Sequence, residues 1–224
     1  MNTLPGHITC KDISYGYSKK SLALEHFSHE FNPGIILLKG FSGCGKSTLL
    51  RLLAGFLKPS SGTLNTPNGK PYRNLEFQRN ELGFVFQQLN LLPLASLQRN
   101  LEIAGAFSGL SGKALKACIE EWLRTLGLED FNNRMPSTLS GGQQQRAAIA
   151  RALIKSPTYA FFDEPTSGLD DLNTQVIINT LRNFSDSSRF IIIASHDARL
   201  EVIADEIIDF NIRLPLEGHL ASLV

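Results

Sequence analysis

The sequence predicts an α/β fold with a mostly parallel sheet at its core, an N-terminal antiparallel β region and an inserted α-helical segment. Short apolar runs, typical of strands buried on both faces, recur at 35–38, 82–86, 159–162 and 190–194. Between the second and third runs, apolar residues fall at helical spacing, most evidently over 115–126. Buried strands that alternate with helices favour a parallel sheet, so these runs form the core of the predicted fold.

The composition predicts one globular domain, or one domain that carries an inserted subdomain. The chain has 224 residues, of which 42% are hydrophobic and 19% charged, so it can bury a sizeable core. Because 22 Lys and Arg balance 21 Asp and Glu, no basic excess indicates a nucleic-acid partner. No apolar run is long enough to span a membrane and residues 1–10 lack a signal-peptide pattern, so we expect a cytoplasmic protein. The odd number of cysteines (Cys10, Cys44 and Cys118) favours reduced thiols.

Residues 40–48 fit the phosphate-loop pattern G-x-x-x-x-G-K-[ST]. They follow a predicted buried strand and precede apolar residues at helical spacing from Leu49 to Leu57, which is the order that such a loop requires. A glycine-rich turn that matches by accident is the alternative, and the flanking strand and helix weigh against it. In a phosphate loop, Lys46 would reach the β- and γ-phosphates and Ser47 would offer its hydroxyl to magnesium.

The segments on either side of this loop carry weaker signals. Residues 7–31 predict antiparallel strands, and Tyr17 lies in their turn region. Its ring either stacks on a base or is an ordinary surface side chain, and the residues alone leave both alternatives open. After the first helix, a turn-rich stretch at 58–71 leads to the next strand, which ends at Gln87. That amide can contact a metal-bound water and a neighbouring loop, although a glutamine at a strand end is otherwise unremarkable.

Residues 94–135 predict a helical subdomain. Trp122 falls on its apolar stripe, so we expect a core residue rather than a ligand contact. The segment that follows, 139–146, reads Leu-Ser-Gly-Gly-Gln-Gln-Gln-Arg and begins another helix with two glycines, which favours an anion site. A plain helix N-cap at Ser140 is the alternative, although a cap alone does not require the glutamines and arginine that follow.

Acidic residues and a histidine follow the later strands. Asp163 and Glu164 end one apolar run, an arrangement in which Asp163 holds magnesium and Glu164 faces the reacting water. On an exposed loop these acids would simply be solvated, whereas a buried pair is costly unless it binds a metal. His196 follows the run at 190–194; a lone histidine is usually structural, but at this edge of a parallel sheet it is a candidate γ-phosphate contact. Asp170 is well placed to cap the intervening helix.

Together these motifs resemble those of the ATP-binding cassette (ABC) ATPases, over nearly the whole chain from about residue 8 to 210. The segment 139–143 is similar to the signature motif that separates this family from other P-loop NTPases. Other motifs of the family match in its order: the adenine-stacking Tyr17, the Q-loop residue Gln87, the catalytic Glu164, the D-loop 167–170 and the switch residue His196. The resemblance implies ATP and Mg²⁺ as the bound groups.

The resemblance also implies one ABC ATPase domain over 1–224. The P-loop NTPase core with its antiparallel β region would occupy about 1–86 and 155–224, and the helical subdomain with the signature about 88–153. The implied catalytic residues are Lys46, Gln87, Glu164 and His196. The implied nucleotide-binding residues are Tyr17, Gly40, Ser42, Gly43, Cys44, Gly45, Lys46, Ser47, Thr48, Ser140, Gly141, Gly142, Gln143 and Asp170. The implied metal ligands are Ser47, Gln87 and Asp163.

By this resemblance the chain is the ATP-hydrolysing subunit of an ABC transporter. It would pair head to tail with a second copy of itself or a related subunit, and would drive separate transmembrane subunits at the cytoplasmic face of the inner or plasma membrane. A non-transport membrane complex, such as one in cell division, needs the same ATPase core and stays an alternative. A nucleic-acid or ribosome-associated ABC ATPase is less favoured, because such relatives carry long coiled coils or two cassettes.

One segment departs from the family pattern. Residues 94–100 read Leu-Ala-Ser-Leu-Gln-Arg-Asn where many relatives carry a Thr-Val-x-Glu-Asn-like sequence. This segment lies near the Q-loop, on the surface that would touch the membrane partner. The departure leaves the catalytic interpretation intact and removes the basis for assigning a substrate by analogy.

Overall fold

The computed structural model of the chain describes residues 6–18, 21–66 and 75–211. These residues form the strands β1 Ile8–Tyr15, β2 Leu24–Phe31, β3 Gly34–Lys39, β4 Ser61–Asn65, β5 Leu82–Val85, β6 Tyr159–Asp163, β7 Phe190–Ser195 and β8 Glu206–Asp209. The α-helices are α1 Lys46–Leu53, α2 Leu75–Asn80, α3 Leu97–Gly105, α4 Gly112–Thr125, α5 Gly141–Leu153 and α6 Asp171–Phe184. Short 3₁₀ helices lie at Ala106–Ser108, Glu129–Phe131, Pro136–Thr138 and Ala198–Ile203.

Two sheets organise these elements. The central sheet is parallel, in the order β5-β6-β7-β3-β8, and the second sheet is antiparallel, in the order β2-β1-β4. In the central sheet, Ile36 of β3 lies opposite Ile192 of β7, and Phe162 of β6 lies opposite Ile193 of β7. Every residue of β6 and β7 is buried, as expected for parallel strands that are covered on both faces. The predicted α/β fold with a mostly parallel sheet is therefore confirmed.

The central strands separate two apolar cores. Ile35 and Leu37 belong to the core that includes residues of α3, α4, α5 and α6, whereas Ile36 and Leu38 belong to the core shared with α1 and the antiparallel sheet. This alternation follows from the two-residue period of a strand. Trp122 of α4 packs against the first core, with its ring centroid 6.1 Å from that of Phe184, as its place on the apolar stripe predicted.

Three segments differ from the sequence-based expectation. Helix α1 ends at Leu53 because Gly55 adopts a left-handed backbone (φ 73°), so Leu57 lies beyond the helix, as does Phe56, which stacks instead on Phe86. Within the stretch predicted to be turn-rich, Ser61–Asn65 forms β4 and pairs with β1. Its strand character comes from that pairing, since Leu64 is its only buried side chain. Residues 67–71 of that stretch lie outside the described residues.

Helix α2 (Leu75–Asn80) was likewise not expected from the sequence. Its buried Phe77 packs with its ring centroid 5.1 Å from that of Tyr159 on β6. Six residues with one buried side chain give too little periodicity to be recognised as a helix. In the described part of the chain, no helix has the length and apolarity needed to cross a bilayer.

Candidate functional site

The loop between β3 and α1 bends around a cavity of about 270 Å³. Gly43 (φ 85°) and Gly45 (φ 101°) have backbones that L side chains rarely adopt, and a Cβ on Gly45 would lie 2.5 Å from the carbonyl oxygen of Ala23. Position 45 therefore requires glycine, both because of its positive φ and because the Ala23 carbonyl oxygen lies so close. The cavity is lined by Tyr17, Ala23, Ser42, Gly43, Gly45, Lys46, Ser47, Thr48, Gln87 and Glu164. Since α1 begins at Lys46, its free N–H groups and positive dipole end lie at this cavity, which suits an anion.

The ammonium group of Lys46 is buried in the loop, with 5% of the residue exposed. Its Nζ donates to the carbonyl oxygens of Gly40 at 2.6 Å and Phe41 at 3.0 Å, and lies 3.9 Å from Oε1 of Glu164. A buried cation of this kind is stable only with such partners. The charge is thereby held at the cavity wall, next to the carboxylate of Glu164.

Asp163 and Ser47 form a pair at the end of β6. The Ser47 hydroxyl donates to Oδ1 of Asp163 at 2.6 Å, while Oδ2 is buried without a hydrogen-bond partner. Burial raises the pKa of Asp163, and the Ser47 hydrogen bond opposes that rise. A buried carboxylate oxygen without a partner needs a cation or a water, and carboxylate with hydroxyl is an oxygen ligand set that Mg²⁺ accepts.

Gln87 lines the same cavity from the end of β5, where its side chain is exposed. No cluster of three or more His, Cys, Asp or Glu able to hold a metal occurs within the described ranges. The oxygen atoms of Asp163 and Ser47 fit a magnesium ion, and Gln87 offers an amide oxygen at the same cavity.

Glu164 has a backbone φ of 52°, which is uncommon for a residue with a side chain. Its carboxylate accepts a hydrogen bond from Ser195 Oγ at 3.0 Å and lies 3.0 Å from Nδ1 of His196. Ser195 is fully buried at the end of β7, whereas the His196 side chain is 60% exposed. The sequence predicted Glu164 and His196 as site residues and placed Ser195 at the same strand end without a role. Its only signal was a hydroxyl directly before the histidine at a strand end.

Tyr17 is 60% exposed at the rim of the cavity. Its hydroxyl lies 3.4 Å from Oγ1 of Thr48 and accepts a hydrogen bond from Arg51 at 3.3 Å. Tyr15 packs edge-on against the ring, with centroids 5.1 Å apart. These contacts fix the ring at the cavity, where an aromatic face can stack on a base.

The predicted signature residues lie elsewhere. Ser140 caps α5 through its Oγ, which accepts from the Gln143 N–H at 3.3 Å, while Gln143 Oε1 accepts from the Ser140 N–H at 2.8 Å. Asp170 caps α6 by accepting from the Asn173 N–H at 2.8 Å. The two caps adjoin, because a Cβ on Gly142 would lie 3.2 Å from the Asn173 side chain.

The structure thus brings together two separate sets of predicted residues. Most of the phosphate loop, with Gln87, Glu164 and Tyr17, surrounds the cavity, and Asp163 and His196 contact that set. Gly40 and Cys44 belong to the same loop without lining the cavity. The second set, at the start of α5 and α6, does not line it in the described part of the chain: Ser140, Gly141, Gly142, Gln143 and Asp170. Gly141 has open space where a Cβ would be, so an anion could approach its backbone from outside the chain.

A parallel sheet with a phosphate loop after one strand and an acidic pair after another defines the class of P-loop nucleotide-binding proteins. Comparison with known proteins places the chain more closely. The family model described as ABC transporter matches residues 24–167. The chain belongs to the ABC transporter family.

Curated relatives agree in name and differ in length. The chain is 36% identical over 184 residues to an uncharacterized ABC transporter ATP-binding protein of Mycobacterium tuberculosis, covering 79% of this chain and 55% of the relative. It is 36% identical over 211 residues to a Staphylococcus epidermidis protein named for hemin import and ATP binding, HrtA, covering 90% and 95%. The chain thus spans about half the length of that mycobacterial relative and nearly all of HrtA.

Solved structures share the fold. The dimeric bacterial ABC transporter cassette MJ0796 superposes with a TM-score of 0.83 at 31% identity, covering 90% of this chain and 93% of the other. A post-hydrolysis dimer of the same cassette bound to ADP and Pi gives a TM-score of 0.82 at 30% identity, covering 90% and 93%. The likeness therefore extends over nearly the whole of both chains.

Proposed function

We propose that the chain binds and hydrolyses ATP as a subunit of an ABC transporter, and that ATP-driven closure and opening of a dimer powers separate membrane subunits. The observation that carries this proposal is the position of Glu164, which lines the phosphate-loop cavity and is held by Ser195 and His196. A carboxylate aimed at the site of a γ-phosphate can orient and deprotonate a water molecule. The relative described as bound to ADP and Pi supports hydrolysis.

Each residue of the cavity has a distinct task in this proposal. The N–H groups that end the phosphate loop bind the polyphosphate, and Thr48 and Tyr17 define the base end. Lys46 leaves its two carbonyl partners to reach the β- and γ-phosphates, and His196 contacts the γ-phosphate. Magnesium, held by Ser47, Asp163 and Gln87, would neutralise phosphate charge when bound.

The separation of the two residue sets supports a shared site. Ser140, Gly141 and Gly142 lie outside the cavity of their own chain, so in our proposal a second chain supplies them to each bound ATP. The comparison with a dimeric cassette supports the pairing of two chains. The core at about 1–86 and 155–224 and the helical subdomain at about 88–153 then form the two halves of each composite site.

The membrane partner would dock beside the Q-loop, where two leucines are exposed. Leu94 is 93% exposed and Leu92 42%. Large apolar side chains exposed near one another are a feature of interaction surfaces. We infer that transmembrane subunits cover this surface and hold the chain at the cytoplasmic face of the membrane. One relative is named for hemin import and another for macrolide export, so these names support transport in general and no single direction.

The experiment separates the enzyme from its membrane partner. We expect the affinity-purified parent chain to hydrolyse ATP and to copurify with integral membrane subunits from its native host. Leu94→Glu should lose the membrane subunits and keep ATP hydrolysis, because the side chain is almost fully exposed and contributes little to folding.

Val202→Glu is the matched control, since Val202 is also an exposed aliphatic side chain (69%) but lies far along the chain from the Q-loop. This variant should retain both the partner and the activity. A parent chain that neither binds nor hydrolyses ATP would contradict the enzymatic half of the proposal. Copurification with ribosomes or nucleic acid, and with no membrane protein, would contradict the transport half.

A further inference from the structure

Two loops that end neighbouring strands of the central sheet are joined by one arginine. The loop after β6 contains residues 164–170, and the loop after β7 contains residues 196–197, followed by the 3₁₀ helix Ala198–Ile203. Arg199 lies on this 3₁₀ helix and reaches back to the first loop. We refer to Arg199, Asp197, Thr166 and Asp171 together as the Arg199 clamp.

The clamp is centred on the carboxylate of Asp197. Arg199 donates to it through Nε at 2.9 Å and Nη2 at 2.7 Å, which is a two-pronged contact, and Thr166 donates through Oγ1 at 2.7 Å. Burial raises the pKa of Asp197, but these hydrogen bonds outweigh burial and bring the pKa down to about 2. The carboxylate is therefore charged throughout the physiological range.

The other edge of the guanidinium group faces the D-loop. Arg199 Nη1 donates to Oδ1 of Asp171 at 2.6 Å, and Nη2 lies 3.4 Å from the carbonyl oxygen of Leu169. Asp171 is 93% exposed, whereas the side chain of Asp197 is only 13% exposed. The contact with Asp197 is thus the protected end of the clamp, and the contact with Asp171 is the end that water and salt can weaken.

The clamp continues to the candidate catalytic carboxylate through one hydroxyl. The Asp197 N–H donates to Ser195 Oγ at 3.2 Å, and the same Oγ donates to Oε2 of Glu164 at 3.0 Å. His196, between these residues, lies 3.0 Å from Glu164. The Asp197 backbone is therefore linked to both groups beside Glu164, to Ser195 by this hydrogen bond and to His196 by the peptide bond between them. Within the described residues, Arg199 makes no hydrogen bond with Glu164 or with another residue of the cavity.

We propose that Arg199 is a positioning residue for ATP hydrolysis: by fixing Asp197 against Thr166 and the D-loop, it holds Ser195 and His196 where they orient Glu164. The inference rests on the proposed ATPase function and adds to it a residue that touches no substrate. Misplacing a catalytic group by about 1 Å can cost roughly a hundredfold in rate. Loss of the clamp can therefore lower the rate of hydrolysis by a large factor.

The test compares three single variants with the parent chain. Arg199→Gln removes the charge and the fork, and Arg199→Lys keeps the charge without the planar fork. Arg182→Gln is the matched control, because the exposed Arg182 donates to the Val202 carbonyl oxygen and is not one of the four clamp residues. We expect kcat to fall about 10- to 100-fold in Arg199→Gln and to recover little in Arg199→Lys, with KM for ATP within about twofold of the parent. Arg182→Gln should match the parent.

A second background distinguishes positioning from general damage. In Glu164→Gln, the group that the clamp orients is already lost, so adding Arg199→Gln should reduce the residual hydrolysis no further. An additional 10-fold loss in that background would overturn the proposal, as would an unchanged kcat in Arg199→Gln. A rise in KM that accounts for the whole loss would also overturn it, since the defect would then lie in binding.

Hydrogen exchange of the nucleotide-free chain gives a readout that does not depend on activity. Arg199→Gln should speed amide exchange in 166–171 and 195–200 together and leave 40–48 unchanged. Asp171→Asn, which removes only the exposed end, should speed exchange in 166–171 alone and serves if Arg199→Gln folds poorly. Exchange that stays at the parent rate in both loops of Arg199→Gln would refute the clamp. A parent chain without ATP hydrolysis would refute the proposed function, while the exchange result would still decide the clamp.

Discussion

The imidazole of His196 faces the carboxylate of Glu164 across the gap between two neighbouring strands, with Nδ1 3.1 Å from Oε1 and 3.0 Å from Oε2. The backbone of Glu164 is held at φ 52°, a conformation that costs about 1 to 3 kcal/mol and persists only when its surroundings enforce it. Here the surroundings are the Ser195 hydrogen bond and the Glu164 N–H, which donates to the Ala194 carbonyl oxygen at 2.8 Å. The fold therefore aims this carboxylate into the cavity.

Replacing Glu164 with Gln tests the role of that carboxylate. The amide keeps the size of the side chain and cannot accept a proton from water, so we expect ATP binding to persist and hydrolysis to fall about 10²- to 10⁴-fold. Without hydrolysis to reopen it, the protein should accumulate as an ATP-bound dimer. Size-exclusion chromatography with magnesium and ATP measures the dimer, and phosphate release measures the rate.

Glu129→Gln is the control for the Glu164 substitution, because Glu129 is an exposed glutamate on a 3₁₀ helix remote in sequence from the cavity residues. It should hydrolyse ATP at the parent rate and accumulate no more ATP-bound dimer than the parent does. Hydrolysis at the parent rate by Glu164→Gln would remove Glu164 from the mechanism.

The three cysteines should differ in their reaction with an alkylating agent. Burial raises the pKa of Cys10 to about 12, and burial together with the charge of Glu121 raises the pKa of Cys118. The thiolate is the reactive form, so both should label slowly at pH 7. Cys44 is half-buried in the phosphate loop, with Sγ 3.9 Å from Nζ of Lys46, and it should label first in the nucleotide-free protein.

Bound ATP should protect Cys44 from that labelling, since the loop then closes on the phosphates. Mass spectrometry of the native protein with and without ATP measures the protection, and Cys10 and Cys118 provide internal controls within the same sample. Labelling of Cys44 at the same rate in both conditions would contradict the proposed loop geometry.

The burial of Lys155 leads us to predict that the stability of the protein depends on pH. Burial lowers the pKa of this lysine to about 8, although Nζ donates to the carbonyl oxygens of Gln78 and Arg79. Between pH 8 and about 10.5 the unfolded chain binds more protons than the folded one, so the stability contribution of Lys155 rises with pH and is lost as pH falls through 8. Because the side chain is partly exposed, we expect a gain of about 1 kcal/mol across this window.

Urea denaturation of the parent and of Lys155→Met at pH 7.5 and pH 10 measures that contribution as the difference between the two proteins. The parent should gain free energy of unfolding relative to Lys155→Met as the pH rises. Lys113→Met is the control, because Lys113 is exposed, and its difference from the parent should not change with pH. The prediction would be contradicted if the free energy of unfolding of the parent, relative to Lys155→Met, stayed the same or fell between pH 7.5 and pH 10.

The fold was readable where burial leaves a pattern in the residues. The strands β3, β6 and β7 are buried throughout or nearly so, which gives unbroken apolar runs. The short strand β4 was missed because Ser61–Asn65 buries only Leu64 and is a strand by virtue of its pairing with β1. The end of α1 was misplaced, although Gly55 in the sequence was a usable signal for a left-handed stop.

Some residues of the candidate site could likewise be predicted from the sequence, and others could not. Residues in fixed spacing, such as those of the phosphate loop, could be proposed from the sequence because one backbone segment performs the task. Ser195, Thr166 and Arg199 could not, because their contacts depend on how two loops meet in space, and no spacing encodes that meeting. The functional roles of both groups stay predictions until the variants are measured.

A mixed dimer tests the central claim that each ATP is bound between two chains. Lys46→Ala damages the phosphate loop and Ser140→Arg damages the signature, so either variant alone should disable both sites of a homodimer. In a dimer with one chain of each kind, both lesions fall in the same composite site. The other site then joins an intact loop to an intact signature.

Differently tagged chains in a Glu164→Gln background allow this mixed dimer to be purified and its trapped ATP counted. We expect about one trapped ATP per mixed dimer, because one complete site has been restored, and almost none in the homodimer of either Lys46→Ala or Ser140→Arg. A mixed preparation that traps only the average of its two parent variants would contradict the shared site and show that each chain binds nucleotide alone.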